Sequence, residues 1–226
     1  MTKPKPPFDL IGSIRGYFKL TPYMPIMEWI DSVISYADEV SAEKDKPDFS
    51  EYPYQVPILQ TWEDMDVRKH VTVVSCEQMR QDQHVASRAS VPHGLRPVPE
   101  ASSCTRQTAS AQRQMSRRCS RSSGTSHGLK EEMAKPRAYR GDRYRFSNLI
   151  SYFQGAGSKI ASKSCKIVIA DEVDQWPSEY PNNYLDLCKR TRSYKACMEY
   201  FVCSPTTPKG VIWQDFLKRL SRLLHA

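Results

Sequence analysis

Two adjacent carboxylates at the end of an apolar run are the residues of this sequence best suited to chemistry. Lys166–Ala170 reads Lys-Ile-Val-Ile-Ala and runs directly into Asp171-Glu172-Val173-Asp174. A β-branched stretch of that kind predicts a buried strand, and ligands of α/β folds bind beyond the carboxyl ends of such strands. The first acid can hold magnesium, and the second can polarise a water for in-line attack on a γ-phosphate. On this reading Asp171 is the metal ligand and Glu172 the catalytic carboxylate, with Asp174 a supporting group. A strand that simply ends in solvated acids is the plain alternative. Four apolar residues abutting the acids weigh against it.

Such carboxylates need a phosphate-binding loop across the crevice. Residues 71–79 read Val-Thr-Val-Val-Ser-Cys-Glu-Gln-Met, a buried strand followed by a small residue, which is how such a loop begins. The loop then needs glycine for close backbone approach, Lys for the phosphates and Ser or Thr for magnesium. Ser75, Cys76, Glu77, Gln78 and Met79 fill its first positions, but Arg80-Gln81-Asp82 follows. None of the three required residue types is there.

That break coincides with a change in composition. Residues 80–127 contain eight arginines against Asp82 and Glu100, which accounts for +6 of the net charge of +8. The same stretch has ten serines and no Phe, Tyr, Trp, Ile, Lys or Asn. It carries no sustained helical or strand period and reads as a disordered basic segment. A shifted reading frame is one explanation. Arg80–Val85 can be written CGG CAA GAC CAA CAT G, and one base later this becomes GGC AAG ACC AAC ATG, encoding Gly-Lys-Thr-Asn-Met. The restored string, Ser-Cys-Glu-Gln-Met-Gly-Lys-Thr, has the spacing of a phosphate loop. A genuine Arg/Ser-rich insert is the other explanation.

Two further groups could serve a nucleotide. Tyr54 can stack on an adenine ring while the Gln55 amide both donates to and accepts from its edge, although a Tyr-Gln pair opening a helix is as often structural. Ser204-Pro205-Thr206 follows the apolar run Tyr200–Cys203, and hydroxyls at a strand end can sense a γ-phosphate. A turn opened by proline is the bland reading. Gly155-Ala156-Gly157-Ser158-Lys159 is Gly-rich but lacks the Gly-Lys-Thr order, and reads as a turn.

The elements that must position these residues alternate between strand and helix. Ile26, Trp29, Ile30, Val33 and Ile34 recur at helical spacing within 25–40, and residues 54–62 predict a short amphipathic helix. Strands are expected at 70–74, 144–146, 149–153, 167–170 and 200–203, with helices at 183–190 and 213–223. The pattern predicts an α/β domain with a largely parallel sheet flanked by helices. The expected organisation is an arm at 1–22, two parts of one domain at 23–79 and 128–226, and the aberrant segment at 80–127 between them.

Composition narrows the setting. Seven cysteines form no Cys-x-x-Cys pair, so a disulfide framework is not expected. Five scattered histidines show no metal-ligand spacing. No run approaches the roughly 20 apolar residues of a membrane span, and no signal peptide is visible. The expectation is a soluble protein with an anionic partner.

The adenine pair, phosphate loop, carboxylate strand and Ser-Pro-Thr strand come in an order that resembles lambda-type phage large terminase subunits. Ile169–Asp174 and the lead-in Pro25-Ile26-Met27-Glu28-Trp29 add to the likeness, which covers roughly 23–79 and 128–217. The resemblance implies a P-loop ATPase motor that packages viral DNA into a procapsid, using ATP and Mg2+. It implies double-stranded viral DNA, a small terminase subunit and the portal as partners, in the bacterial host cytoplasm, and self-association if functional. It assigns magnesium to Asp171, catalysis to Glu172, adenine contacts to Tyr54 and Gln55, and coupling to Ser204, Pro205 and Thr206. Loss of Gly-Lys-Thr implies impaired activity, and the chain's end at Ala226 implies that the family's nuclease domain is missing. Another helicase-like P-loop ATPase with a basic arm, or a non-enzymatic DNA-binding protein, are the competing readings.

Overall fold

The computed structural model describes residues 24–33, 49–50, 53–63, 67–75, 102–106, 134, 139–140, 143–145, 150–157 and 164–224. The elements are α1 (Ile26–Val33), α2 (Gln55–Gln60), β1 (Lys69–Val74), β2 (Ser102–Arg106), β3 (Tyr139–Arg140), β4 (Arg143–Arg145), β5 (Ile150–Gly155), β6 (Ile167–Asp171), α3 (Asn183–Cys188), β7 (Met198–Cys203) and α4 (Val211–Leu224). Short 3-10 turns at Val173–Gln175 and Lys189–Thr191 follow β6 and α3.

The seven strands form one sheet in the order β1-β7-β6-β2-β5-β4-β3. The first five in that order pair in parallel, and β4 and β3 close the edge as antiparallel strands. Every residue of β6 and β7 is buried, as expected of apolar strands inside a parallel sheet covered on both faces. Cys165, Val168, Ala170, Val173, Leu187, Phe201, Cys203 and Ile212 form one core cluster, with Ile212 bringing α4 onto it. The α/β class and the largely parallel sheet are as the sequence predicts.

The helices bury the faces their spacing marks. Ile26, Trp29 and Ile30 are all inside, and the Trp29 N–H donates to the Pro25 carbonyl at 2.9 Å. In α2, Leu59 and the amide side chain of Gln55 are buried. The stretch 34–40, expected to continue α1, lies outside the described residues.

One correction concerns the basic segment. Residues 102–106, inside a stretch whose sequence shows no strand period, form β2 between β6 and β5. Pairing with a parallel strand on each side requires only backbone N–H and C=O groups, so Ser-Ser-Cys-Thr-Arg can take the place without an apolar pattern. The remainder of 80–127, and the arm at 1–22, lie outside the described residues.

Candidate active site at the carboxyl edge of the sheet

β6 carries Asp171 to its last position, where the residue is fully buried. Asp171 stands opposite Val202 of β7, and the Glu172 N–H extends that pairing by donating to the Val202 carbonyl at 2.9 Å. The backbone then turns sharply. Glu172 has φ 52° and ψ 46°, and among the described residues it is the one non-glycine with positive φ. The left-handed conformation costs a residue with a Cβ about 1–2 kcal/mol, and strain of this kind persists where surrounding structure over-determines it. The surroundings here are the bond to Val202, the buried Val173 and the following 3-10 turn. The Trp176 indole N–H also donates to the Asp171 carbonyl at 3.0 Å.

β1 ends beside β7, on the side away from β6. Val74 stands opposite Cys203, and the Ser75 N–H donates to the Cys203 carbonyl at 3.3 Å. Three strand ends therefore lie side by side. They carry Ser75, Ser204 and the Asp171-Glu172 turn. Burial pushes the Cys203 thiol between them up to about 12, so it stays neutral and acts as a packing group.

The loop after β7 closes over this edge. The Asp174 side chain accepts from two distant backbone groups, Thr206 N–H at 3.3 Å and Ile212 N–H at 2.9 Å. Asp174, Trp176, Tyr180, Thr206 and Gly210 are among the residues lining a cleft of about 270 Å3 between the carboxylate turn and this loop.

The structure thus brings Ser75, Asp171, Glu172 and Ser204–Thr206 to one edge. Tyr54 and Gln55 open a different element, α2, which packs against α1. Just past the far end of α2, the Thr61 carbonyl accepts from Lys69 Nζ at 3.1 Å, and Lys69 begins β1 whereas Ser75 follows its end. Cys76, Glu77, Gln78 and Met79 lie outside the described residues. Among the described residues no three His, Cys, Asp or Glu side chains gather as a metal site, and Asp171 is the acid that a cation at this edge would have to reach.

A second polar cluster was not visible in the sequence. His70 donates or accepts through both ring nitrogens, Nδ1 to Glu199 Oε2 at 2.7 Å and Nε2 to Asp215 Oδ2 at 3.0 Å. The Thr72 hydroxyl donates to Asp215 at 2.6 Å, and Arg219 binds both Asp215 oxygens at 2.9 and 3.1 Å. The Thr191 hydroxyl donates to Glu199, with Arg68 3.5 Å from the same carboxylate. Burial alone would lower the imidazole, but the bonds to Asp215 and Glu199 outweigh it and hold His70 above its ordinary value. Burial likewise opposes ionisation of Asp215 and Glu199, and their hydrogen bonds overcome it and hold both below the usual carboxylate range. The cluster joins β1, β7 and α4.

The family model described as phage terminase large subunit gpA, ATPase domain, matches residues 41–222. This chain belongs to that family. Solved terminases share the fold at low identity. The large terminase of bacteriophage HK97 superposes with a TM-score of 0.70 at 10% identity, covering 87% of this chain and 41% of that one. The large terminase of a thermophilic bacteriophage gives 0.56 at 15% identity, covering 74% and 42%. The complex of that thermophilic phage's terminase with ATP-gamma-S gives 0.51 at 18% identity, covering 74% and 41%. This terminase-family chain spans about two fifths of the length of these relatives. No curated protein matches it. Among the described residues no helix is long and apolar enough to cross a membrane.

Proposed function

We propose that this chain is the nucleotide-hydrolysing part of a viral DNA-packaging motor, with the carboxyl edge of the sheet as its active site. The observation that carries the reading is the left-handed Glu172 directly after the buried Asp171. That turn follows a strand end lying beside those that carry Ser75 and Ser204. In this reading Asp171 holds Mg2+, and Glu172 orients a water and takes its proton. Ser75 opens the phosphate loop that continues through Cys76, Glu77, Gln78 and Met79. Tyr54 and Gln55 receive adenine, and Ser204-Pro205-Thr206 relays the state of the site to α4. Bound Mg2+–ATP supplies the phosphoanhydride that is cleaved. The complex of the thermophilic phage's terminase with ATP-gamma-S supports a nucleotide as the ligand. Viral double-stranded DNA, a small terminase subunit, the portal and further copies of the chain are the partners proposed, in the cytoplasm of a bacterial host.

Arg80-Gln81-Asp82 stands where a Gly-Lys-Thr is required, so nucleotide affinity is proposed to be impaired in this chain. The experiment is ATP hydrolysis by a chain carrying Arg80→Gly, Gln81→Lys and Asp82→Thr, with and without Glu172→Gln. The restored chain should hydrolyse ATP, and Glu172→Gln should slow hydrolysis by about 10²–10⁴-fold while nucleotide still binds. Equal rates with and without Glu172→Gln would remove Glu172 from catalysis.

A further inference from the structure

α4 begins without a capping side chain of its own. The Gln214 N–H donates to the Gly210 carbonyl at 3.1 Å, which makes Gly210 the cap residue, and glycine has no side chain to satisfy the open N–H groups of the first turn. Asp174 supplies the missing acceptor from another part of the chain. One carboxylate oxygen, Oδ1, takes the Ile212 N–H at 2.9 Å, and the other, Oδ2, takes the Thr206 N–H at 3.3 Å. Glycine at 210 is what makes room for this. A Cβ there would lie 2.0 Å from Asp174 Oδ2 and 2.7 Å from its Cγ. The negative carboxylate also sits at the positive end of a 14-residue helix, where the helix dipole favours it.

Asp174 is two residues beyond Glu172 on the 3-10 turn that β6 leads into. It bridges 32 residues to Thr206 and 38 to Ile212. One side chain therefore ties three things together: the carboxylate turn, the Ser-Pro-Thr loop and the start of α4. We propose that Asp174 is a positioning residue that locks the Ser204-Pro205-Thr206 loop and the first turn of α4 to the Asp171-Glu172 turn, so that the three move as one body. Resting on the ATPase reading above, this makes Asp174 the part through which a change at the carboxylates displaces α4. It acts on backbone amides and touches no reacting atom.

The two oxygens have separate tasks, and that gives a test which simple loss of stability would not mimic. Residue-resolved amide hydrogen exchange is measured on the full chain and on Asp174→Ala, Asp174→Asn and Gly210→Ala. In Asp174→Ala both the Thr206 and Ile212 amides should exchange at least about tenfold faster, while β6 amides keep their protection. An Asn keeps one acceptor oxygen for the stronger bond, so Asp174→Asn should release Thr206 and spare Ile212. Gly210→Ala puts a Cβ 2.0, 2.7 and 3.0 Å from Asp174 Oδ2, Cγ and Oδ1, so the carboxylate must shift and both amides should exchange faster, as in Asp174→Ala. Unchanged exchange at both amides in Asp174→Ala, or equal loss at both in Asp174→Asn, overturns the proposal.

Adding Mg2+ with ATP-gamma-S to the chain restored at 80–82 separates this inference from the reading beneath it. No nucleotide effect anywhere, with the amide split intact, counts against the ATPase reading and leaves the lock standing. Nucleotide binding that slows exchange at Thr206 equally with Asp174 and with Ala in its place sinks the lock and leaves the ATPase reading standing.

Discussion

Asp171, Glu172 and Asp174 at the carboxyl edge of the sheet, and Glu199 of β7 with Asp215 of α4, belong to neighbouring elements but are held in opposite ways. Glu199 and Asp215 are matched by side chains: His70 between them, Thr191 and Arg68 on one, Thr72 and Arg219 on the other. The backbone around them is regular strand and helix. At the edge, Asp174 is committed to backbone N–H groups and Glu172 sits on left-handed backbone. Acids satisfied by side chains hold elements together. Acids presented on strained backbone do so at a cost to the fold, and such strain gathers where a site needs it.

The comparison can be broken from the stabilising side first. Asp215→Ala leaves His70, Thr72 and Arg219 without their shared acceptor. Removing the shared acceptor of this part-buried network, whose Arg219 is partly exposed, costs about 1–3 kcal/mol, so urea denaturation should show a loss of that order. A loss within about 0.5 kcal/mol, as for an ordinary surface change, would deny the cluster its structural role.

pH should act on the same side with a smaller effect. His70 is held above its ordinary value despite its burial, so its contribution is complete below about pH 6.5 and falls as pH rises through the raised value. Glu199 and Asp215 are held below theirs, so their contribution is complete above about pH 4.3 and falls as pH drops. Arg68, Arg219 and Tyr184 also face the cluster, and burial holds the Tyr184 phenol well above its ordinary value. Thermal stability should therefore be greatest between about pH 4.3 and 6.5, and His70→Ala should flatten the decline on the alkaline side. A decline of equal steepness in that variant would place the titration elsewhere.

At the edge the expected sign reverses. Glu172→Gly relieves the left-handed strain and should raise stability by about 0.5–1 kcal/mol, even as it removes the proposed catalytic carboxylate. A destabilised Glu172→Gly would mean that the Glu172 side chain holds the fold, and the contrast between the two clusters would fail.

Much of the edge was legible because its signals are local. Four apolar residues before Asp171 announced β6, the Tyr200–Cys203 run announced β7, and helical spacing announced α4. The order of the motifs pointed to the family that the match over residues 41–222 then showed. What stayed hidden depends on partners far away in the chain. His70 meets Glu199 and Asp215 across 129 and 145 residues, and no spacing rule reaches so far. Asp174 was readable as a supporting acid, but its two amide partners and the role of Gly210 were not. β2 escaped because backbone pairing on both sides, rather than apolar alternation, makes it a strand.

The central claim is that the carboxylate turn is a magnesium–nucleotide site deprived of its phosphate-loop residues at 80–82. Titration calorimetry with Mg2+ and ATP-gamma-S tests it most directly. Each charged hydrogen bond to phosphate contributes about 1.5–3 kcal/mol, so the chain with Arg80→Gly, Gln81→Lys and Asp82→Thr should bind at least about 100-fold more tightly than the parent. Adding Asp171→Asn should abolish the dependence on magnesium. Tight magnesium-dependent binding by the parent chain, or binding by the restored chain that ignores Asp171→Asn, would contradict the account.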